Sequence, residues 1–104
     1  MPTLQFSRNA KADLLNIGAY TLQTWGAAQA ERYLDGLERR TKLLASNPLL
    51  GRLCEWIRPG LFRFERDRHV LFHRRQEEGI LISRILHQSM LPEQQNFGDP
   101  APDA

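Results

Sequence analysis

Two histidines stand four residues apart in the middle of the chain, His69 and His73. On a helix this spacing places both imidazoles on one face, as in many zinc sites. The surrounding residues resemble a strand, however, and there the two side chains would stand roughly 13 Å apart at about 3.3 Å per residue. Zinc needs its ligands within about 2.0–2.3 Å. The pair therefore cannot share an ion, and we expect neither a metal site nor a cofactor.

Arginine is concentrated in the second half of the chain. Residues 52–87 contain eight arginines and no lysine, although the net charge of the whole chain is only +2. The planar guanidinium suits phosphate and carboxylate partners better than an ammonium group does. This concentration indicates either an anionic partner or a solvated face of a sheet.

The composition is typical of a single globular domain. The chain has 104 residues, of which 41% are hydrophobic and 25% charged, enough for one core. It contains no apolar run of about 20 residues, which a membrane helix would need, and its first residues do not resemble a signal peptide. The single cysteine, Cys54, fits a reducing compartment. We therefore expect a cytoplasmic protein with no membrane partner, in which Cys54 is a structural thiol.

Two amphipathic helices are predicted in the N-terminal half. Apolar residues recur at spacings of three and four over about residues 8–25, with Ser7 as the N-cap. Gly26 interrupts this pattern, and a second helix follows over about residues 27–47. A break this short makes the two helices an antiparallel hairpin. Trp25 lies on the apolar stripe of the first helix and is predicted to pack in the core.

The remaining elements are predicted strands. Leu4 and Phe6 alternate with polar neighbours and indicate a short first strand. Turn residues separate three later strand candidates, at residues 61–65, 68–74 and 80–87. The fold class is thus α+β, in the order β-α-α-β-β-β, with the helical hairpin packed on a small antiparallel sheet. We assign residues 1–91 to this domain and the polar residues 92–104 to a disordered tail.

Two of the predicted strands are apolar on both faces. Val70, Leu71 and Phe72 are consecutive, and Ile80–Ile82 repeats the pattern. A sheet that is covered on one side only should show polar residues on the other side. Because no further element of the chain is predicted to cover the second face, we expect a partner segment or a second copy there.

Three stretches of the sequence form a recognisable series. They are Ser7–Ile17 with Tyr20 and Trp25-Gly26, then Gln29–Leu37 with Leu44–Pro48 and Gly51, then Arg68–Arg74 with Ile82–Met90. In this order and spacing the series resembles the ParE branch of the RelE/ParE toxins over about residues 3–91. The most specific part is Arg84-Ile85-Leu86-His87-x-x-Met90. His73 departs from the family, in which a tyrosine commonly occupies this position.

The resemblance implies a partner and a target. ParE-like toxins are held in a hetero-oligomer by a ParD-type antitoxin, and when released they inhibit DNA gyrase. We therefore expect a toxin that acts by binding, without catalytic residues and without sequence-specific contact to nucleic acid. The residues predicted to contact the target are Arg63, Arg66, Arg68, Arg74, Arg75, Arg84, His87 and Met90. Those predicted to contact the antitoxin are Trp56, Leu71, Leu81, Ile85, Met90 and Leu91.

Two alternatives stay open. RelE-like relatives use the same fold to cut messenger RNA on the ribosome, and a fold alone does not choose between the two activities. A metal-independent endonuclease would use His87 as acid or base, with Arg84 and Arg68 facing the phosphate. The nuclease branch usually has a tyrosine in this C-terminal region, where Gln88–Met90 stands here, which weighs against this interpretation. The other alternative is a module that binds antitoxins without being toxic.

Overall fold

The computed structural model describes residues 3–66 and 68–98, apart from the side chain of Arg66. The helices are α1 (Arg8–Trp25) and α2 (Ala27–Ser46), and the strands are β1 (Thr3–Phe6), β2 (Arg52–Leu53), β3 (Phe62–Arg66), β4 (His69–Gln76) and β5 (Gly79–His87). The predicted order β-α-α-β-β-β is confirmed, with β2 as an additional strand of two residues. Residues 99–104, which we assigned to the tail, lie outside the described residues.

Capping residues set the limits of the helical hairpin. Ser7 Oγ accepts a hydrogen bond from Ala10 N at 3.0 Å and so satisfies one free N–H of the first turn. Gly26 separates the helices at a φ of 90°, a backbone conformation that favours glycine. Trp25 is 56% exposed, because the buried positions of α1 end at Thr21. Our prediction that Trp25 packs in the core was wrong.

The strands form one sheet in the order β1-β5-β4-β3-β2. Neighbouring strands are antiparallel, except that β1 runs parallel to β5. Ser7 N donates to Ile82 O at 2.9 Å at the end of this parallel pair. The sheet is therefore mixed and not wholly antiparallel as predicted, since alternation of side chains along a strand carries no information about strand direction.

The larger core lies between the helical hairpin and one face of the sheet. Its buried members are Ala10, Ile17, Leu37, Leu44, Ala45, Leu71, Ile80, Ile82 and Ile85. The register between β4 and β5 shifts between Phe72 and His73, where Ser83 is the extra residue of β5. Ser7 Oγ donates to Ser83 O at 2.8 Å, so the residue that caps α1 is also hydrogen-bonded to β5 at the register shift.

The opposite face of the sheet is covered by the chain itself. A second core there contains Cys54, Ile57, Leu61, Val70, Phe72, Leu86 and Phe97. The segment between β2 and β3 folds over this face, held by Cys54 N donating to Leu61 O at 2.8 Å. Our expectation that a partner segment or a second copy covers this face was wrong, because residues of the chain itself cover it. Their segment has no periodicity from which its position could be predicted.

Packing extends beyond residue 91, where we had placed the end of the domain. Phe97 is 3% exposed, and its ring centroid lies 5.3 Å from that of Phe72. The Arg58 guanidinium lies 5.5 Å from the Phe97 ring centroid and donates to Gln95 O at 3.3 Å. A single aromatic residue in a polar segment gave no periodic signal for this contact.

His73, a residue of β4, is fully buried. Its ring stacks on Phe62 at a centroid distance of 5.7 Å. A Cβ atom at Gly51 would come within 2.5 Å of His73 Cε1, so this approach requires glycine. Within the described part of the chain, neither ring nitrogen makes a hydrogen bond of ordinary geometry. Burial lowers the pKa of His73 to about 4, and the nearby Leu71 backbone offsets only part of this effect.

We expect the free energy of unfolding to decrease as the pH falls from 6.5 towards 4. The pKa of His73 is lower in the folded state than in the unfolded chain, so its stabilising contribution is complete above pH 6.5 and is lost as the pH approaches about 4. The loss at this residue is at most about 3 kcal/mol. Urea unfolding at several pH values should show a smaller decrease for His73→Phe than for the parent. Equal decreases in both proteins would contradict the assignment.

Candidate functional site

A cleft opens where the helical hairpin meets one end of the sheet. There β4 begins and β5 ends, and the pairing of His69 with His87 places both imidazoles at the same point. The cleft has a volume of about 740 Å³, which is within the range of small-molecule sites. Its lining residues are Asn16, Ile17, Tyr20, Thr21, Trp25, Gln29, Tyr33, Arg68, His69 and His87.

His69 connects the helices to the end of the sheet. Its Nδ1 atom is hydrogen-bonded to the Tyr33 hydroxyl from α2, and its ring meets that of His87 edge to face at a centroid distance of 5.4 Å. Burial, and then the proximity of His87 and Arg68, lower the pKa of His69 to about 4. Burial also raises the pKa of Tyr33. At neutral pH both groups are therefore uncharged.

His87 has one ring nitrogen already in use. Nδ1 accepts a hydrogen bond from Ser89 N at 3.1 Å and lies 2.7 Å from Ser89 Oγ. A backbone N–H can only donate, so Nδ1 carries no proton and the neutral ring is protonated at Nε2. The turn after β5 thus fixes the tautomer of a predicted site residue.

Arg68 supplies the positive charge of the cleft. The residue is exposed, and its guanidinium carbon lies 5.7 Å from the centroid of the Trp25 ring, a cation–π arrangement. Its carbonyl oxygen accepts from Gln88 N at 2.9 Å. Among the predicted target contacts, Arg68 and His87 are the two that the structure places in this cleft.

Arg84 does not face the cleft, because it is bound by an acidic residue of α1. Arg84 Nε and Nη2 donate to the two carboxylate oxygens of Asp13 at 2.8 and 2.9 Å. Asp13 also accepts from Ile85 N at 2.9 Å, and Arg84 Nη1 donates to Asn96 O at 2.8 Å. With its guanidinium engaged in this way, Arg84 is a structural residue, and the structure gives no support to its assignment as a target contact or catalytic cation.

The other predicted arginines are dispersed. Arg74 is buried and donates to Pro59 O at 2.6 Å, so it holds the segment that covers the second core. Arg63 is mostly buried over the Phe72 ring and 3.3 Å from Glu65. The exposed Arg75 lies over the Phe62 ring at 3.9 Å. Arg66 belongs to β3, but its side chain lies outside the described part of the chain.

The residues predicted to contact an antitoxin fall into two groups. Leu71, Leu81 and Ile85 are at most 2% exposed. They are core residues, and their assignment as surface contacts is corrected by this burial. Trp56, Met90 and Leu91 are exposed and are available to a partner.

Sequence reasoning missed the helical half of the cleft. Tyr20, Trp25 and Tyr33 all line it, yet Trp25 was assigned to the apolar stripe of the first helix and the other two were not predicted as site residues. The signal available in the sequence was the occurrence of aromatic residues near the end of α1 and near the beginning of α2. The partner of Tyr33 is His69, and only the fold brings these two residues together.

Comparison with known proteins identifies the family. Residues 4–92 match the sequence model described as the ParE toxin of type II toxin–antitoxin system, parDE. The chain is 42% identical to Toxin ParE1 of Mycobacterium tuberculosis over 82 residues, covering 78% of this chain and 84% of the relative. It is 39% identical to Toxin ParE1 of Caulobacter vibrioides over 90 residues, covering 86% and 93%. The chain belongs to the ParE toxin family.

A solved structure agrees with this assignment. The structure described as the chromosomal ParDE TA system from P. aeruginosa superposes with a TM-score of 0.71 at 27% identity, covering 84% of this chain and 96% of that one. The ParE-family match includes every residue that lines the cleft and ends before Phe97. The closure of the second core by Phe97 therefore lies outside the matched segment.

In residues 3–66 and 68–98, no group of three or more His, Cys, Asp or Glu side chains is arranged to hold a metal ion. His69 and His73 have separate partners, Tyr33 and Phe62. Within the same residues, neither helix has the length and apolar character required to cross a bilayer.

Replacing Asp13 with Ala should destabilise the fold by about 3 kcal/mol, because Arg84 would remain largely buried without its partner. Glu38→Ala is the matched control. Glu38 pairs with Lys42 at 3.2 Å on the exposed face of α2, and its loss should cost no more than about 0.5 kcal/mol. The measurement is urea unfolding. Similar losses for the two variants would contradict a structural role for the Asp13–Arg84 pair.

Proposed function

We propose that the chain is a toxin that inhibits DNA gyrase by binding it, acts in the cytoplasm and is neutralised by a ParD-like antitoxin. The observation that carries this proposal is the ParE-family match over residues 4–92, together with relatives named Toxin ParE1 that align over most of their length. The ParDE description of the superposed structure supports the antitoxin as partner.

The geometry supports inhibition by binding more than catalysis. A ribonuclease of this type would need cations around the scissile phosphate, yet Arg84 is engaged by Asp13. Arg68 and His87 remain at the cleft and are the proposed gyrase contacts, with Met90 beyond the end of β5. Arg75 is exposed on another part of the surface and is a weaker candidate.

The deciding experiment is a supercoiling assay with purified gyrase, relaxed plasmid and the chain separated from its antitoxin. We expect loss of supercoiling and accumulation of linear DNA. Arg68→Ala should raise the concentration for half-inhibition about tenfold, as expected for loss of a central contact. Arg39→Ala, which removes an exposed arginine of α2 outside the cleft, is the matched control. If folded chain in excess over gyrase leaves supercoiling unchanged, the proposal is wrong.

An mRNA endonuclease remains the second candidate, because the cleft combines two histidines, Tyr33 and Arg68. His87→Gln distinguishes the two functions. Removal of a general acid or base should reduce cleavage of messenger RNA in a translating extract by at least ~100-fold. For a gyrase-binding toxin, the same variant keeps a hydrogen-bonding side chain and should change half-inhibition by less than about tenfold. Cleavage by the parent, lost in this variant, would favour the enzyme.

We further propose that Trp56, Met90 and Leu91 belong to the surface that the antitoxin covers. Trp56 is 68% exposed, and large exposed aromatic residues commonly anchor protein interfaces. Trp56→Ala should weaken binding of the cognate antitoxin about tenfold or more without a change in thermal stability. Leu15→Ala, at an exposed apolar residue of α1, tests the helical surface in parallel. A loss of affinity in the Leu15 variant alone would place the antitoxin on the helices instead.

A further inference from the structure

The cleft between the hairpin and the sheet has a distinctive chemical composition. Its walls carry the rings of Tyr20, Trp25, Tyr33, His69 and His87, and among the described residues its one cation is Arg68. No aspartate or glutamate is among its lining residues in the described part of the chain. A cleft of this kind favours a flat, polarisable ligand that also carries negative charge.

The polar groups of the cleft further define the ligand that it favours. Asn16 and Gln29 lie in its walls, and each side-chain amide offers both a donor and an acceptor. Nucleobase edges present donors and acceptors side by side, which such amides can match. The tautomer of His87 leaves Nε2–H as its free donor. An acidic peptide could form an ion pair with Arg68, but it would leave most of the aromatic rings of the cleft without a stacking partner.

The two histidines contribute ring faces more than charge. Burial keeps His69 neutral at physiological pH, and a neutral imidazole can stack on a base as other aromatic side chains do. The hydrogen bond between the Tyr33 hydroxyl and His69 Nδ1 fixes both rings relative to each other. The cleft is thus partly ordered before any ligand enters, which lowers the entropic cost of binding.

We propose that this cleft binds an unpaired nucleotide, with its base against the aromatic side chains and its phosphate on Arg68. The nucleotide can come from a single-stranded segment of nucleic acid or from a free mononucleotide, since both present the same base and phosphate. This site goes beyond the proposed gyrase inhibition. It is tested with the chain alone, so its failure would leave the supercoiling result unaffected.

The test uses the fluorescence of Trp25. The chain has two tryptophans, so Trp56→Phe leaves Trp25 as the single reporter in the full-length protein. The probes are a mixed-sequence single-stranded DNA octamer, the same octamer with abasic positions, adenosine 5′-monophosphate, and an acidic peptide that contains one tyrosine. We expect saturable quenching by the octamer, and quenching by the mononucleotide as well if free nucleotides are the source.

Two variants locate the binding, and both replace exposed residues outside the two cores. Tyr20→Ala should weaken octamer binding about 5- to 100-fold through loss of stacking. Arg68→Ala should weaken it and make the slope of log affinity against log salt concentration shallower by about 0.7, because one phosphate is no longer neutralised. Arg39→Ala is the matched control and should bind as the parent does.

Four outcomes would overturn the proposal. They are equal affinity for the abasic octamer, an equal effect of Arg39→Ala and Arg68→Ala, quenching by the acidic peptide without quenching by any nucleotide, and no quenching at all. The first outcome would show that the base is not recognised. The second would show that binding depends only on the overall positive charge of the protein. The third identifies the cleft as a peptide site. Circular dichroism of each variant shows that the compared proteins are folded.

Discussion

The carboxylate of Asp13 holds the first helix against the last strand, and the position of the cleft depends on it. Beyond Ile82, β5 is no longer paired with β1, and Asp13 takes over this edge by accepting from Ile85 N and from Arg84. Tyr20 and Trp25 follow Asp13 by about two and three helical turns. Fixing Asp13 on β5 therefore fixes these two rings beyond the end of the sheet, where they face His69 and His87.

The helices could be predicted from sequence almost to the residue, because their signals are local. Ser7 caps the first helix through its own side chain, Gly26 adopts a conformation that other residues avoid, and the apolar spacing runs without a gap. The parallel pairing of β1 with β5 could not be predicted in the same way. It joins residues about 75 positions apart, and nothing in a four-residue strand specifies its direction.

The candidate site was predictable only in part, because the same residue type serves opposite purposes in this fold. Arg68 and Arg84 could not be told apart from the sequence, since each stands shortly before an apolar stretch of a predicted strand, Val70–Phe72 and Ile85-Leu86. One is exposed over Trp25, and the other is largely buried on Asp13. The Arg74 guanidinium likewise donates a hydrogen bond within the protein, to the carbonyl oxygen of Pro59. The number of arginines in the sequence therefore overestimates the positive charge available to a partner. The aromatic residues that the helical hairpin contributes to the cleft could not be recognised either, because they occur within amphipathic helices.

The second core has a consequence for how well the fold resists proteolysis. Its last member, Phe97, is joined to the rest of the fold through contacts with Phe72 and Arg58, and it lies beyond the segment shared with the family. A chain cut before Phe97 would expose Phe72 and its neighbours to proteases while the cleft kept all its lining residues. Changes at Phe97 can therefore alter the resistance of the fold to proteolysis without altering any residue that lines the cleft.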